Sequence, residues 1–157
     1  MKKIAVVYYS KSGNTKKMAE FIVEGAKRNP DVQVDLESVE NFPLEKTLDY
    51  DGLIVGSPTY YGSMAYQIKL FFDNSVKFHR KLSGKVGAAF SSAANIGGGN
   101  ETTINSILNA MLIHGMIIQG NCKGDHYGVV SIGQPDDRVK DQCGELGERT
   151  SFLVKRL

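Results

Sequence analysis

Cysteine and tryptophan are scarce in this sequence of 157 residues, which contains two cysteines and no tryptophan. Cys122 and Cys143 have neither the spacing of a metal site nor the density of a disulfide scaffold, so no metal site is predicted. No apolar stretch approaches the roughly 18 residues that a membrane-spanning helix requires. The apolar run at residues 4–9, after Met1-Lys2-Lys3, ends too early for a signal peptide. We therefore expect a reduced, cytoplasmic protein.

An excess of one charge sign is missing as well, because 19 Lys and Arg residues balance 17 Asp and Glu residues for a net charge of +2. No block of Lys or Arg forms a stripe, so the sequence predicts no nucleic-acid partner. The motifs G-x-x-x-x-G-K-[ST] and G-x-G-x-x-G are absent, which disfavours nucleoside triphosphates and dinucleotides as resident ligands. No repeat, low-complexity stretch or linker interrupts the chain, and we expect one domain over residues 1–157.

Short β-branched runs alternate along the chain with longer amphipathic segments. The runs predicted as strands are residues 4–9, 32–39, 52–56, 86–90 and 116–119. Apolar residues at helical spacing predict helices over residues 14–28, 65–78, 101–114 and 136–157. The connection at residues 40–50 fits either a loop or a short helix. This alternation predicts an α/β fold with a parallel sheet and helices on both of its faces.

Three unusual loops follow predicted strands, at residues 10–15, 58–62 and 91–103. Open α/β sheets bind ligands beyond the carboxyl ends of their strands, so we expect these loops to meet in one site. The first loop surrounds Gly13 with hydroxyls and an amide directly before a helix, where free N–H groups and the helix dipole favour an anion. An ordinary capped turn is the alternative interpretation of that loop.

These loops carry a resemblance to known flavoproteins. Ser10-x-Ser12-Gly13-Asn14-Thr15 resembles the phosphate loop of flavodoxins. Residues 58–62 and 91–103 resemble the two flavin-ring loops of the WrbA-type NAD(P)H:quinone oxidoreductases. His114-Gly115-Met116 and His126-Tyr127-Gly128 are also similar to that group, and the resemblance covers almost the whole chain. It implies a flavodoxin-like doubly wound sheet of five parallel strands in the order 2-1-3-4-5.

The resemblance also implies FMN as the cofactor and assigns residues to it. The phosphate would be held by Ser10, Lys11, Ser12, Gly13, Asn14 and Thr15, with Lys11 contributing charge rather than a fixed contact. The ring would be bordered by Pro58, Thr59, Tyr60, Tyr61 and Gly62, with Thr59 donating through its hydroxyl or its backbone. The pyrimidine side would be wrapped by Ser91, Ser92, Ala93, Ala94, Asn95, Gly97, Gly98 and Gly99.

Several of these residues have a plainer interpretation that stays open. Tyr60 and Tyr61 also suit simple packing, and the glycine run also suits loop flexibility. The resemblance implies that His114 reaches the flavin, whereas a histidine at a helix C-terminus also serves the helix dipole.

Two functions are compatible with an FMN site. One is an enzyme that passes two electrons from NADH or NADPH to a quinone or similar acceptor; the other is a flavodoxin-type carrier that docks to redox proteins. The nearly balanced charge, the ring loops and the lack of a tryptophan over the flavin face favour the enzyme. No protein acid or base is required, although His114 or Tyr127 is a hypothetical proton donor to the acceptor. The chain is shorter than a typical WrbA-type enzyme, which leaves the nicotinamide donor open and leaves monomer, homodimer and homotetramer possible.

Overall fold

The computed structural model describes all residues from Met1 to Leu157, which form seven strands and four α-helices. The strands are β1 (Lys2–Tyr8), β2 (Val32–Ser38), β3 (Gly52–Tyr60), β4 (Ser63–Met64), β5 (Val86–Ala93), β6 (Ile117–Ile118) and β7 (Val129–Ile132). The α-helices are α1 (Asn14–Ala26), α2 (Tyr66–Asn74), α3 (Asn100–Ile113) and α4 (Asp137–Arg156). No helix of the structure has both the length and the apolar character needed to cross a membrane.

The main sheet is parallel and runs in the order β2-β1-β3-β5, with β6 and β7 both paired to the outer edge of β5. Five strand positions therefore lie in the predicted order 2-1-3-4-5, with β5 in the fourth position. The short β4 is antiparallel to the end of β3 and forms a hairpin with it. The predicted α/β architecture is confirmed.

The fifth strand position differs from the prediction because two separate segments occupy it. Ile117–Ile118 pairs with Val86 and Gly87, at the beginning of β5, whereas Val129–Ile132 pairs with the residues from Phe90 to Ala93 at its end. The chain leaves the sheet between these two segments and returns to the same edge. The sequence pattern predicted only the first segment, at residues 116–119.

The core lies on both sides of the sheet, and β1 shows why its apolar run does not alternate with polar residues. Ile4 and Val6 belong to one buried cluster with residues of α1 and α4, whereas Ala5 and Val7 belong to a second cluster with residues of α2 and α3. All four side chains are buried, as expected for a central parallel strand that is covered on both faces.

The connection between β2 and β3 contains a 3₁₀ helix at Leu44–Asp49, which decides between the two predicted alternatives in favour of a short helix. Lys85, which directly precedes β5, holds the C-terminal end of this 3₁₀ helix. Its Nζ donates to the backbone oxygens of Thr47 and Leu48 at 3.3 and 2.7 Å and also to that of Tyr50. Burial lowers the pKa of Lys85. The three carbonyl oxygens match in number the three N–H donors of this partly buried ammonium group.

Helices α1 and α4 pack closely because glycines lie at their contact. A Cβ atom on Gly25 would overlap the backbone oxygen of Gly144, and one on Gly147 would overlap that of Ile22. This close packing fixes α1 on one face of the sheet. The N-terminus of α1 consequently lies at the carboxyl end of β1, where the first of the three unusual loops connects the two elements.

Candidate functional site

A cleft of about 450 Å³ lies at the carboxyl ends of β1, β3 and β5. Its walls are formed by Ser10, Lys11, Ser12, Asn14, Thr15, Pro58, Thr59, Tyr60, Ser92, Ala93, Ala94 and Gly133. The volume falls within the range of about 300–1,000 Å³ that small-molecule and cofactor sites occupy. The structure thus brings the three predicted loops together, and Gly133 is the one wall residue that the sequence analysis did not identify.

The first turn of α1 has the properties of an anion site. Its N-terminal flanking residue, Gly13, has a φ of +100°, a conformation that side chains strongly disfavour. No side chain caps this helix and no acidic residue lies in its first turn, so the N–H groups there have no protein partner at the cap and no competing negative charge. Ser10 folds the loop back by accepting a hydrogen bond from the N–H of Gly13 at 3.1 Å. A phosphate fits this donor set.

The hydroxyl of Thr15 connects the first loop to the end of β5. Its Oγ1 lies 2.8 Å from Oγ of Ser92, and both residues are buried. Both residues line the cleft, so this hydrogen bond ties the start of α1 to the end of β5 within the cleft itself. The hydroxyl predicted to serve the phosphate is therefore hydrogen-bonded within the protein, and its proton is available to a ligand when Ser92 is the donor of this bond. The backbone N–H of Thr15 belongs to the uncapped first turn of α1.

The hydroxyl of Thr59 lies at the centre of a second buried hydrogen-bond network. It donates to Oδ1 of Asn100 at 3.2 Å, because an amide oxygen can only accept. Its single proton is then used, so Ser91 at 2.9 Å donates toward it. Thr103 lies at 3.1 Å, and its own single proton is shared with the backbone oxygen of Gly99 at 2.9 Å, which can only accept. Of the two predicted ways in which Thr59 meets a flavin, this geometry favours the backbone.

Tyr60 and Tyr61 lie in the hairpin between β3 and β4. Tyr61 and Gly62 are its two turn residues and have φ values of +50° and +74°, as a type I′ turn requires. Tyr60 is 40% exposed on the cleft wall, and Tyr61 projects fully into solvent. Neither ring packs into the core, which argues against the plain packing interpretation. Partial burial and the neighbouring Tyr9 raise the pKa of Tyr60.

The glycine-rich loop forms the rim of the cleft rather than its wall. Asn95, Gly97, Gly98 and Gly99 do not line the cleft in this structure, and Ile96 beside them is exposed. Gly99 has a φ of +105°, and a Cβ atom there would lie 2.8 Å from Cα of Gly62. The close approach between the two ring loops therefore requires glycine at this position, whether or not a ligand is bound.

Within one chain, the structure places His114 away from the cleft in which the flavin is predicted to bind. His114 follows the last residue of α3, and the 14 residues of that helix span about 20 Å from its first residue beside the cleft. His114 instead lines a separate groove between α2 and α3. The helix carries the chain away from the cleft, so His114 lies at the opposite end of the sheet. This position also removes it as a proton donor in the cleft of its own chain.

His114 is buried and neutral. Ser75 donates its proton to the backbone oxygen of Phe72 at 2.7 Å, so the Ser75 oxygen accepts from Nε2 of His114, also at 2.7 Å. This arrangement leaves Nδ1 as an acceptor, and it is buried without a hydrogen-bond partner. Burial, and secondarily the positive charge that His79 can carry, lower the pKa of His114. A neutral imidazole is not the cation that a helix dipole favours.

The second hypothetical proton donor, Tyr127, lies outside the cleft wall as well. It is exposed in the segment between β6 and β7 and faces a separate recess beside Glu101 of α3. Both cysteines are free thiols, Cys122 exposed and Cys143 buried, and burial raises the pKa of Cys143. None of these groups shares the cleft with the three loops.

Comparison with known proteins identifies relatives of both predicted kinds. A family model described as NADPH-dependent FMN reductase matches residues 2–124. A flavodoxin of Aquifex aeolicus is 39% identical over 162 residues, covering 98% of this chain and 88% of that protein. An NAD(P)H dehydrogenase (quinone) of Archaeoglobus fulgidus is 34% identical over 190 residues and covers both chains completely.

A solved structure supports the fold. The flavodoxin, WrbA-like protein from Agrobacterium tumefaciens superposes with a TM-score of 0.85 at 24% identity, covering 99% of each chain. Together with the sequence relatives, it confirms the flavodoxin-like fold and the predicted resemblance to WrbA-type proteins.

Proposed function

The chain belongs to the NADPH-dependent FMN reductase family, and from that membership we propose that it is an FMN-dependent oxidoreductase that passes two electrons from NADPH or NADH to a quinone or a similar small acceptor. The observation that supports this proposal most directly is the cleft, in which an uncapped helix N-terminus and the ring loops of β3 and β5 face one another.

The phosphate of FMN would bind at the first turn of α1. The uncapped N–H groups there, together with the positive end of the helix dipole, contribute about 0.3–2 kcal/mol for each negative charge that they stabilise. Ser12 and Asn14 line the cleft beside this turn and add side-chain donors. Lys11 is exposed at the same place and adds positive charge without a fixed partner.

The isoalloxazine ring would lie between the β3 hairpin and the end of β5. Tyr60 offers a flat apolar face on one wall, and residues Ser92, Ala93 and Ala94 form the other. When bound, FMN supplies the redox chemistry, accepting two electrons from a reduced nicotinamide and delivering them to the acceptor. The protein residues would orient the ring, and Tyr61, which projects into solvent, would not cover it.

A carrier function is the second candidate, and the rim of the cleft favours it. Tyr60, Tyr61, Ile96 and Ile132 are large apolar side chains that are exposed around the mouth of the cleft. Exposed apolar groups surrounded by polar residues are typical of protein contact sites. A redox protein docked there would exchange electrons with FMN directly. The net charge of +2 does not match a carrier that is steered to basic partners by acidic residues.

An anaerobic experiment distinguishes the two functions. FMN-loaded protein is mixed with NADPH or with NADH, loss of the visible flavin absorbance is recorded, and benzoquinone is then added. The proposed enzyme loses its flavin absorbance quickly with one of the nucleotides and regains it on addition of the quinone. If neither nucleotide reduces the bound FMN while dithionite does, the enzyme proposal fails and the carrier function takes its place.

A further inference from the structure

The side chain of Asn100, the first residue of α3, joins two strands that are not neighbours in the sheet. Its Oδ1 accepts from the hydroxyl of Thr59 at the end of β3, and its Nδ2 donates to the backbone oxygen of Ser131 in β7 at 3.3 Å. The strand between β3 and β7 is β5, so Asn100 spans the end of that strand. Asn100 is buried, with only 5% of its surface exposed.

Both partners of Asn100 are close to opposite walls of the cleft. Thr59 lines the cleft itself and precedes Tyr60, which forms the same wall. Ser131 lies two residues before Gly133, which belongs to the opposite side, and the hydroxyl of Ser131 donates to the backbone oxygen of Gly133 at 3.1 Å. Asn100 itself is not among the residues that line the cleft. It acts on the cleft through the residues that it holds.

We propose that Asn100 is a positioning residue for the flavin ring, one that sets the separation between the β3 hairpin and the β7 side of the cleft. The inference rests on the proposed binding of FMN. Buried hydrogen bonds to an amide constrain both strand ends at once, and the hydroxyl of Ser91 holds Thr59 in the orientation that this requires. Loss of Asn100 lets the two walls separate, and the backbone donors that meet the ring then lie farther from it.

Asn100→Ala tests the proposal, with Asn109→Ala as the matched control because Asn109 is an exposed asparagine on the same helix. Dissociation constants for FMN and for riboflavin, which lacks the phosphate, are measured by quenching of flavin fluorescence. Removing two hydrogen bonds of ordinary strength predicts an increase of about tenfold in both constants. The ratio of the riboflavin constant to the FMN constant stays unchanged, because the phosphate loop is not affected.

The midpoint potential of bound FMN is a readout that a purely structural role would leave unchanged. Donors near the ring stabilise the negative charge of the reduced cofactor, so their displacement weakens binding of reduced FMN more than of oxidised FMN. The potential of Asn100→Ala is therefore expected to be more negative than that of the wild type, whereas Asn109→Ala keeps the wild-type value.

Thr59→Val removes the same contact from the other side and serves as the test should Asn100→Ala not fold. If both variants fold, the double variant is expected to lose less affinity than the sum of the two single losses, because each substitution breaks the same hydrogen bond. Wild-type affinity and potential in the folded variants would overturn the inference while leaving the proposed function intact. A wild-type protein that binds neither flavin would overturn both.

Discussion

Substitution of Thr15 by valine probes the connection between the phosphate loop and β5. Valine keeps the shape of threonine and removes the hydroxyl, so Oγ of Ser92 loses its hydrogen-bond partner while remaining buried. An unsatisfied buried hydroxyl costs about 1–3 kcal/mol. For a chain of this size we take about 2 kcal/mol, which corresponds to a decrease of roughly 6 °C in the melting temperature. The protein without flavin shows this loss, because the hydrogen bond exists without ligand.

Flavin affinity is expected to fall in the same variant. Thr15 and Ser92 hold two walls of the cleft together, and without the hydrogen bond the walls must be brought together by the ligand. A penalty of about 1–2 kcal/mol raises the dissociation constant for FMN by about 5- to 30-fold. Thermal unfolding by circular dichroism measures the first effect, and quenching of FMN fluorescence measures the second.

Two further variants determine whether this explanation is correct. Thr15→Ser retains the hydroxyl and is expected to keep most of the stability and the affinity. The double variant Thr15→Val/Ser92→Ala leaves no orphaned hydroxyl, so its melting temperature is expected to recover toward the wild-type value. A double variant that is less stable than Thr15→Val alone would refute the hydrogen-bond argument and would point to packing at Ser92 instead.

Three further predictions concern glycines and a histidine. Gly13→Val places a branched side chain at a φ of +100° and is expected to raise the dissociation constant for FMN by tenfold or more, measured by fluorescence titration. Unchanged FMN affinity in both this variant and Thr15→Ala would contradict the assignment of residues 10–15 to the phosphate. Gly147→Ala introduces a Cβ atom that overlaps the backbone oxygen of Ile22, and should lower stability in urea unfolding by about 1–3 kcal/mol, whereas Asp141→Ala on the exposed face of α4 should be nearly neutral. The pKa of His114 is lower in the folded protein than in the unfolded chain, so the unfolded chain binds more protons below about pH 6.5. Stability is therefore lost as the pH falls from about 6.5 through the folded pKa. His114→Gln should reduce this loss in unfolding experiments between about pH 7 and pH 5, and an unchanged pH dependence would contradict the assignment of a neutral imidazole.

The part of the fold that the sequence predicted depends on local patterns. The run from Ile4 to Val7 is apolar without alternation because it packs on both faces of the sheet, and that pattern is visible in four residues. The fifth strand position was predicted only in part because its pairing is split. Val129–Ile132 has four residues, and its position beside β5 requires Gly128, where a Cβ atom would overlap the backbone oxygen of Ala89. Nothing in the local sequence shows which strand it pairs with.

The position of His114 outside the cleft follows from the helix that precedes it, which the sequence pattern predicted correctly. A helix that begins at the carboxyl edge of a parallel sheet and has 14 residues ends near the opposite edge. His114 therefore could be placed away from a same-chain cleft by helix length and direction alone. The resemblance implied a contact that this geometry does not provide within one chain.

The network behind the ring loops shows what sequence patterns leave out. Ser10, Gly13 and Thr15 are neighbours in the chain, so their shared role was visible as a motif. Thr59 and Asn100 are separated by 41 residues, and their contact exists only because β3 and the start of α3 meet at the same edge of the sheet. Asn100 directly follows the three glycines and begins a helix, yet it is buried, which is unusual for an asparagine. A buried asparagine needs partners for its donor and its acceptor. Once the strand order is known, the ends of β3 and β7 are the groups within reach, and the network follows from the topology rather than from any single motif.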